Sequence, residues 1–264
     1  MRVVAAGLCH SDDHYATGDS PAGILPWAGG HEGAGVVEAI GQGVTEVGIG
    51  DHVVFSFLPA CGRCRWCASG MQNLCDLGRF ARSGSRLSAE PSYRMRLDGA
   101  PVGQMCGVST FCERTTVDAR SVVRIDEDIP LDLACLVGCG VCTGWGSAVN
   151  TAEVRPGDIV IVAGVGGIGI NAVQGARHAG AAQVIAADPV ALKREAALRL
   201  GATAAVPSLE EAAELAKGSS NGQGADSAIV AVGVTRPEHV AAAFAAIRKG
   251  GIVVVTGLGP HTQV

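Results

Sequence analysis

A glycine-rich turn set between an apolar strand and a helix constrains the fold of this 264-residue chain more than any other feature. The apolar run 159–163 predicts a buried parallel strand, and the turn Gly164-Val165-Gly166-Gly167-Ile168-Gly169 follows it directly. In such a turn the first glycine permits the bend, the second lets a pyrophosphate approach, and the third lets helix and strand pack together. The pattern predicts a dinucleotide site at the N-terminus of the following helix.

An acidic residue follows the next predicted strand, 183–187. Asp188 stands where a carboxylate accepts hydrogen bonds from the adenosine ribose hydroxyls, and Lys193, about one helical turn further on, reaches the same region. Because the 2′-phosphate of NADP would meet a negative charge at Asp188, the sequence favours NAD as the cofactor.

The two halves of the chain have different hydrophobic patterns. Residues 1–140 consist of short β-runs separated by glycine, which predicts a small barrel or sandwich. Strand and helix patterns alternate after residue 156, which predicts a parallel sheet with helices on both faces. Five strands are predicted there, at 159–163, 183–187, 204–206, 228–231 and 252–255. The expected fold class is mixed β and α/β, with domains 1–145 and 146–264 and a doubly wound sheet that lacks a sixth strand.

Four of the ten cysteines lie within fifteen residues, at Cys61, Cys64, Cys67 and Cys75. Thiolates at two-residue gaps can converge tetrahedrally on one zinc ion, and four of them leave no open position, so this site is expected to be structural. An iron–sulfur cluster and a disulfide pair remain open as alternatives.

Three further candidate ligands lie far apart in the sequence: Cys9, His31 and Cys139. Two thiolates and one imidazole form the ligand set of a catalytic zinc with a fourth position open to substrate. The neighbouring acids Asp12 and Glu32 are candidates for orienting these ligands. The remaining Cys106, Cys112, Cys135 and Cys142 fit no motif and are expected to be buried apolar residues.

Composition excludes several other classes. A net charge of −5 and the lack of a basic helix after Cys75 argue against nucleic-acid binding. No apolar run reaches the roughly 18 residues of a membrane span, and the N-terminus has no signal-peptide pattern. We therefore expect a cytoplasmic protein with no membrane or nucleic-acid partner, whose thiols stay reduced.

These motifs together resemble one family, the zinc-dependent medium-chain alcohol dehydrogenases. The resemblance rests on 9–14 (CHSDDH), on Gly30-His31-Glu32-x-x-Gly35 with Gly41 and Val44, on the four-cysteine segment, on 138–144 (GCGVCTG) and on the glycine turn, which occur in the family's order. The sequence around these motifs is most similar to the actinobacterial branch of the family, which includes nitrosoaniline-dependent enzymes that hold NAD tightly.

The resemblance implies a GroES-like β-barrel followed by a Rossmann domain, an active site in the cleft between them, and two zinc ions per chain. It implies roles for five residues near the reaction centre. Ser11 matches the residue whose hydroxyl contacts the substrate oxygen, and Asp12 matches the acid bonded to the zinc-bound histidine. His14 matches the far end of a proton relay. Thr143 matches a residue beside the nicotinamide, and His10 matches a basic contact of the pyrophosphate.

The expected function is therefore the interconversion of small alcohols with aldehydes or ketones by hydride transfer to NAD, in a homo-oligomer. Oxidation of formaldehyde–thiol adducts by the same machinery is the alternative. Against the family pattern the chain is short at both ends, so weak activity or a non-catalytic zinc- and NAD-binding remnant is a further expectation.

Overall fold

The computed structural model describes residues 1–257, which divide into two compact units. One unit ends at Cys139 and the other begins at Gly140. The sequence places the domain boundary between residues 145 and 146, near the end of the first helix of the second unit, Gly140–Gly146.

The first unit is built from short strands and shorter helices. Its strands are β1 Arg2–Gly7, β2 Trp27–Ala28, β3 Glu32–Val36, β4 His52–Phe55, β5 Met95–Leu97, β6 Ala100–Gln104 and β7 Val122–Arg124. Its helices are α1 His10–Thr17, α2 Arg65–Ala68 and α3 Leu131–Ala134, and five 3-10 turns accompany them at Gln72–Leu74, Asp76–Phe80, Met105–Gly107, Ala119–Ser121 and Cys135–Gly138.

An antiparallel sheet of order β1-β3-β4-β7 carries most of this unit, beside a smaller sheet of order β2-β6-β5. The pairing of β1 with β3 runs from Arg2 opposite Val36 to Gly7 opposite Glu32. The chain therefore leaves β1 toward α1 beside the residues that open β3. Val53 and Phe55 of β4 are fully buried and anchor the sheet in the core.

The second unit is a parallel sheet of five strands within the described residues, in the order β10-β9-β8-β11-β12. The strands are β8 Ile159–Ala163, β9 Gln183–Ala187, β10 Ala204–Val206, β11 Ala225–Val230 and β12 Ile247–Val255. The helices are α4 Gly140–Gly146, α5 Gly167–His178, α6 Ala191–Arg199, α7 Leu209–Ser219 and α8 Pro237–Ala246, with a π-helical turn at Ser147–Thr151.

Both faces of this sheet are covered, which confirms the predicted doubly wound architecture. Val160 and Val162 point into one hydrophobic cluster with α5, while Ile161 points into a second cluster with α7 and α8. Each fully buried valine or isoleucine side chain contributes about 1.5–3 kcal/mol by leaving water. The helices contribute mainly alanines to these clusters, and such small side chains let helix and sheet approach closely.

No single helix within residues 1–257 is long and apolar enough to cross a membrane. Only when taken together do the bent neighbours Leu131–Gly138 and Gly140–Thr151 reach that length and apolarity.

Candidate metal and nucleotide sites

The four-cysteine segment folds into a compact thiol cluster. The Sγ atoms of Cys61, Cys64, Cys67 and Cys75 all lie within 4.8 Å of one another. Backbone amides point at the sulfurs: Cys64 N donates to Cys61 Sγ at 3.3 Å, and Cys61 N donates to Cys75 Sγ at 3.3 Å. Cys64 also caps α2, because its Sγ accepts from Cys67 N at 3.5 Å. Amides directed at sulfur stabilise thiolates, the form that binds metal.

The surroundings of these thiols shift their acidity in opposite directions. Hydrogen bonds from the backbone of Arg63 and Cys64 lower the pKa of Cys61 to about 6, whereas burial raises the pKa of Cys67 to about 12. Without a cation the cluster cannot hold four thiolates, and all ten cysteines of the chain are free of disulfides. Four convergent sulfurs match the closed tetrahedral donor set of a zinc ion.

A second cluster brings together residues that are distant in the sequence. The ligand atoms of Cys9, His31, Glu32 and Cys139 lie within 4.8 Å of one another, and the last three residues are buried. The β1–β3 pairing brings the Cys9 end of β1 to His31, which directly precedes β3. Gly138 sets Cys139 beside them, because a Cβ there would lie 2.7 Å from the carbonyl oxygen of Phe55 and 3.6 Å from Glu32 Cα.

Asp12 ties this cluster together with one buried carboxylate. It accepts hydrogen bonds from the backbone amides of Cys9 and Gly30, both at 3.0 Å, and it lies 3.3 Å from His31 Nδ1. The contact on Nδ1 leaves His31 Nε2 as the ring atom for a metal. The sequence-predicted neighbours Asp12 and His31 are thus brought into direct contact.

Charge is already separated within this cluster. Burial lowers the pKa of His31, but the hydrogen bonds to Asp12 and Cys9 outweigh it and raise the value to about 9. The contact with Cys139 is the main cause that lowers the pKa of Cys9 to about 3, against the opposing effect of burial and with help from His31. The metal-free cluster therefore pairs a thiolate with an imidazolium, and when a metal displaces the ring proton both groups become donors that suit zinc.

Glu32 lies closer to the centre than the sequence suggests. The sequence predicts an orienting acid, whereas its carboxylate belongs to the same set of convergent ligand atoms as Cys9 and Cys139. Its side chain is held over Gly7, where a Cβ would collide with Glu32 Oε2. Thr110 fixes the Glu32 backbone by donating from Oγ1 to its carbonyl oxygen at 2.7 Å. Sequence patterns gave no signal for Thr110, which is 78 residues away.

Helix α1 carries the other residues predicted near the reaction centre. Ser11 Oγ lies 3.8 Å from Cys9 Sγ, and the His14 ring is buried, with its centroid 5.5 Å from that of the exposed His10. His14 Nδ1 contacts Asp19 Oδ2 at 3.3 Å, a partner that the sequence did not indicate. Thr143 lies in α4 of the second unit, where its carbonyl oxygen accepts from Ser147 Oγ at 2.7 Å.

The glycine turn of the second unit links β8 to α5. Gly164 has a φ of +82°, and a Cβ there would meet the backbone of Ala231 at 2.9 Å. A Cβ at Gly169 would collide with the carbonyl oxygen of Gly164, so helix and turn touch directly. At Gly166 and Gly167 a Cβ would meet nothing within 4 Å, which leaves an open face at the helix N-terminus. This is the cradle that a pyrophosphate requires.

Asp188 stands at the end of β9 next to this turn. Its side chain is buried and accepts from Val165 N at 3.0 Å and from Val190 N at 2.9 Å. Lys193 Nζ lies 3.8 Å from Asp188 Oδ2. Arg194, which the sequence did not single out, donates to the carbonyl oxygens of Asp188 and Pro189. In the glycine turn, Val165 is buried and Ile168 is half-buried.

The four cysteines outside both clusters differ in their surroundings. Cys135 is buried as predicted, and Cys106 and Cys112 are half-buried. Cys142 is exposed, so the prediction of a buried apolar residue is wrong there. It lies on α4, a seven-residue helix, on the side away from the buried Gly144.

Two family models match the chain. Residues 1–127 match the alcohol dehydrogenase GroES-like domain, and residues 167–264 match the zinc-binding dehydrogenase model. An NDMA-dependent alcohol dehydrogenase of Amycolatopsis methanolica is 53% identical over 98% of this chain and 69% of that protein. An S-(hydroxymethyl)glutathione dehydrogenase of Escherichia coli is 44% identical over 77% of this chain and 55% of that protein.

A solved structure shows the same fold at high similarity. The alcohol dehydrogenase zinc-binding domain protein from Burkholderia ambifaria superposes with a TM-score of 0.90 and 33% sequence identity. The match covers 100% of this chain and 70% of that one.

Proposed function

Because the chain belongs to the zinc-dependent alcohol dehydrogenases, an oxidoreductase family, we propose that it holds two zinc ions and uses NAD to interconvert small alcohols with aldehydes or ketones. The single observation that carries the proposal is the convergence of Cys9, His31 and Cys139 with an acid on the histidine. A two-thiolate, one-imidazole set leaves room for a substrate oxygen, which a closed structural site does not.

The ligands in the first unit are the residues that hold and tune the catalytic metal. Cys9 and Cys139 supply thiolates and His31 supplies Nε2, while Asp12 holds Nδ1 and orients the ring. A zinc ion held by these residues would supply Lewis acidity toward an alcohol oxygen, and NAD bound at the glycine turn would supply the hydride acceptor. Glu32 places a further carboxylate beside the three ligands, within reach of the fourth position.

Residues of α1 are proposed to remove the proton from the alcohol. Ser11 Oγ lies next to Cys9 and is placed to accept a hydrogen bond from the substrate hydroxyl. His14 Nε2 is buried without a hydrogen-bond partner in residues 1–257 and can take up one proton at that atom. His10, exposed on the same helix, is proposed as a basic contact for the cofactor phosphates, and Thr143 as a neighbour of the nicotinamide.

The closed thiol cluster is proposed as a structural zinc site. The segment Cys61–Cys75 contains only α2 and a 3-10 turn, and little of it is buried apart from Cys67 and Cys75. A metal ion there replaces the hydrophobic core that so short a segment cannot build.

The cofactor is proposed to be NAD. The open face at Gly166 and Gly167 supports pyrophosphate binding at the N-terminus of α5. Asp188 presents a buried carboxylate at the end of β9, which favours ribose hydroxyls over a 2′-phosphate, and Lys193 lies beside it.

A second candidate reaction is oxidation of a formaldehyde–thiol adduct, which the likeness to the Escherichia coli S-(hydroxymethyl)glutathione dehydrogenase favours. The likeness to the NDMA-dependent enzyme supports assaying an artificial acceptor beside free NAD. We also propose a homo-oligomer, and a cytoplasmic location because thiols that bind metal must stay reduced.

Steady-state assays of the zinc-loaded chain test the reaction. We expect absorbance from NADH with primary alcohols, or bleaching of a nitrosoaniline acceptor if NAD is retained, and loss of either signal in Cys139→Ala. Formaldehyde with a low-molecular-weight thiol is the comparison substrate. Equal rates in Cys139→Ala and the unaltered chain would contradict the proposed catalytic metal.

A further inference from the structure

The two ring nitrogens of His14 have different surroundings. The side chain is 2% exposed, at the last turn of α1. Nδ1 lies 3.3 Å from Asp19 Oδ2, whereas Nε2 is buried and has no hydrogen-bond partner among the described residues. A buried nitrogen without a hydrogen-bond partner is rare, so Nε2 calls for a partner beyond the described residues.

The chain is folded back so that Asp19 reaches this ring. Helix α1 ends at Thr17, and Gly18 takes a left-handed conformation with a φ of +84°. Ser20 N then donates to the carbonyl oxygen of His14 at 2.9 Å, which closes the turn. Asp19 therefore comes beside the residue five positions earlier, although helical spacing alone would not place it there.

Asp19 is itself held in position. Thr17 Oγ1 donates to Asp19 Oδ2 at 3.0 Å, the same oxygen that faces His14 Nδ1. The Asp19 side chain is 45% exposed, so its carboxylate lies at the surface while one oxygen, Oδ2, contacts a buried ring. Among residues 1–257, the exposed His10 is a further titratable ring beside His14, at 5.5 Å between centroids.

We propose that Asp19 is a positioning residue for proton transfer by His14, an inference that rests on the proposed alcohol dehydrogenase function. A carboxylate can only accept, so Nδ1 of the neutral ring must carry the hydrogen and Nε2 must present its lone pair. Asp19 thereby sets His14 as a proton acceptor at its buried nitrogen.

The proton balance is simple. A proton lost by the substrate hydroxyl forms an N–H bond at His14 Nε2, and the neutral imidazole becomes an imidazolium. The carboxylate of Asp19 stabilises that cation without itself taking the proton, as an acid does beside a catalytic histidine. Release of the proton to a water or buffer base restores the neutral ring.

The direct test is the tautomer of His14 in the full chain. Nitrogen-15 labelling of histidine, with His14 assigned from the His14→Gln spectrum, reports which ring nitrogen carries hydrogen in the zinc-loaded protein without NAD. We expect the Nδ1–H form in the unaltered chain and a shift to mainly Nε2–H in Asp19→Ala. Retention of the Nδ1–H form in Asp19→Ala would overturn the inference, whether or not the chain oxidises alcohols.

Turnover provides the second readout. We expect kcat to fall about tenfold in Asp19→Ala with KM for the alcohol unchanged, because general acid–base steps of this kind contribute about 10²–10⁴ in rate and only part is lost. Asp19→Asn still accepts from Nδ1–H but carries no charge, so it should keep the tautomer and lose kcat. Asp19→Glu should restore much of the rate.

Asp13→Asn is the matched control. Asp13 lies exposed on the same helix, and its substitution by Asn removes the same charge without contacting His14. We expect unchanged kcat and an unchanged tautomer; a loss of kcat equal to that of Asp19→Asn would contradict a specific role for Asp19. If no variant and not even the unaltered chain oxidises alcohols, the proposed function fails while the tautomer comparison still decides the role of Asp19.

Discussion

Asp12 connects three parts of the first unit through one carboxylate. It accepts from the amide of Cys9 at the start of α1, from the amide of Gly30 before β3, and contacts the ring of His31. Two proposed ligands that are 22 positions apart thus depend on a single side chain. The reach of Asp12 back to the Cys9 amide also satisfies a free N–H at the helix N-terminus.

We predict that Asp12→Asn weakens retention of the catalytic zinc by about 10–100-fold, the usual cost of losing the group that orients a ligand. The amide keeps the shape of the side chain but cannot accept from all three donors. Chelator competition followed by metal analysis measures the effect. Asp13→Asn on the exposed face of α1 is the control, and equal retention in both variants would refute this role for Asp12.

At the scale of elements, glycine has a different structural role at each position of the turn between β8 and α5. Gly164 supplies a left-handed bend, Gly169 a close approach between helix and turn, and Gly166 an open surface. The sequence motif assigns a bend to Gly164 and a close approach to Gly169, and the backbone geometry has both features. Whether the open surface binds a dinucleotide stays a prediction.

We predict different effects for two alanine substitutions in this turn, one mainly on stability and one mainly on NAD binding. Gly169→Ala should lower the free energy of unfolding by about 3 kcal/mol, because its Cβ collides with the Gly164 carbonyl. Gly166→Ala should cost about 1 kcal/mol or less as a helix N-cap, yet weaken NAD binding about tenfold by filling the open face. Urea unfolding and NAD titration measure both, and equal NAD affinity in Gly166→Ala and the unaltered chain would refute the cradle.

At the scale of the whole molecule, the two kinds of site lie in different compact units. All seven proposed zinc ligands fall within the unit that ends at Cys139, and the glycine turn with Asp188 falls within the unit that begins at Gly140. The first unit has one small apolar cluster beside its convergent polar groups, whereas the second has two larger apolar clusters around its sheet. Metal and dinucleotide are thus expected to stabilise different parts of the chain.

We predict two zinc ions per chain, each tied to its own cluster. Elemental analysis should give about two in the unaltered chain and about one in both Cys61→Ser and Cys139→Ala, because each variant removes a ligand from a different tetrahedral set. A value of one in the unaltered chain that is lost in Cys61→Ser and kept in Cys139→Ala would show that only the structural site forms.

Local patterns predicted the second unit well. The strands at 159–163, 183–187 and 204–206 coincide with β8, β9 and β10, because a buried parallel strand is an unbroken apolar run. The strands β11 and β12 begin earlier than predicted, at Ala225 and Ile247, where polar residues such as Asp226 and Arg248 pair with each other. An ion pair between neighbouring strands has no signature in either strand alone.

The sequence by itself determined the kinds of donor and the order of the motifs: four closely spaced thiols, a glycine turn after an apolar strand, and an acid after the next. Those features depend on residues near one another in the chain, so spacing is enough to predict them. Only the tertiary structure decided that Glu32 joins the ligand atoms of Cys9 and Cys139, and that Asp19 contacts His14. These contacts arise from strand pairing and from the reversal at Gly18, which bring together side chains that no local pattern relates.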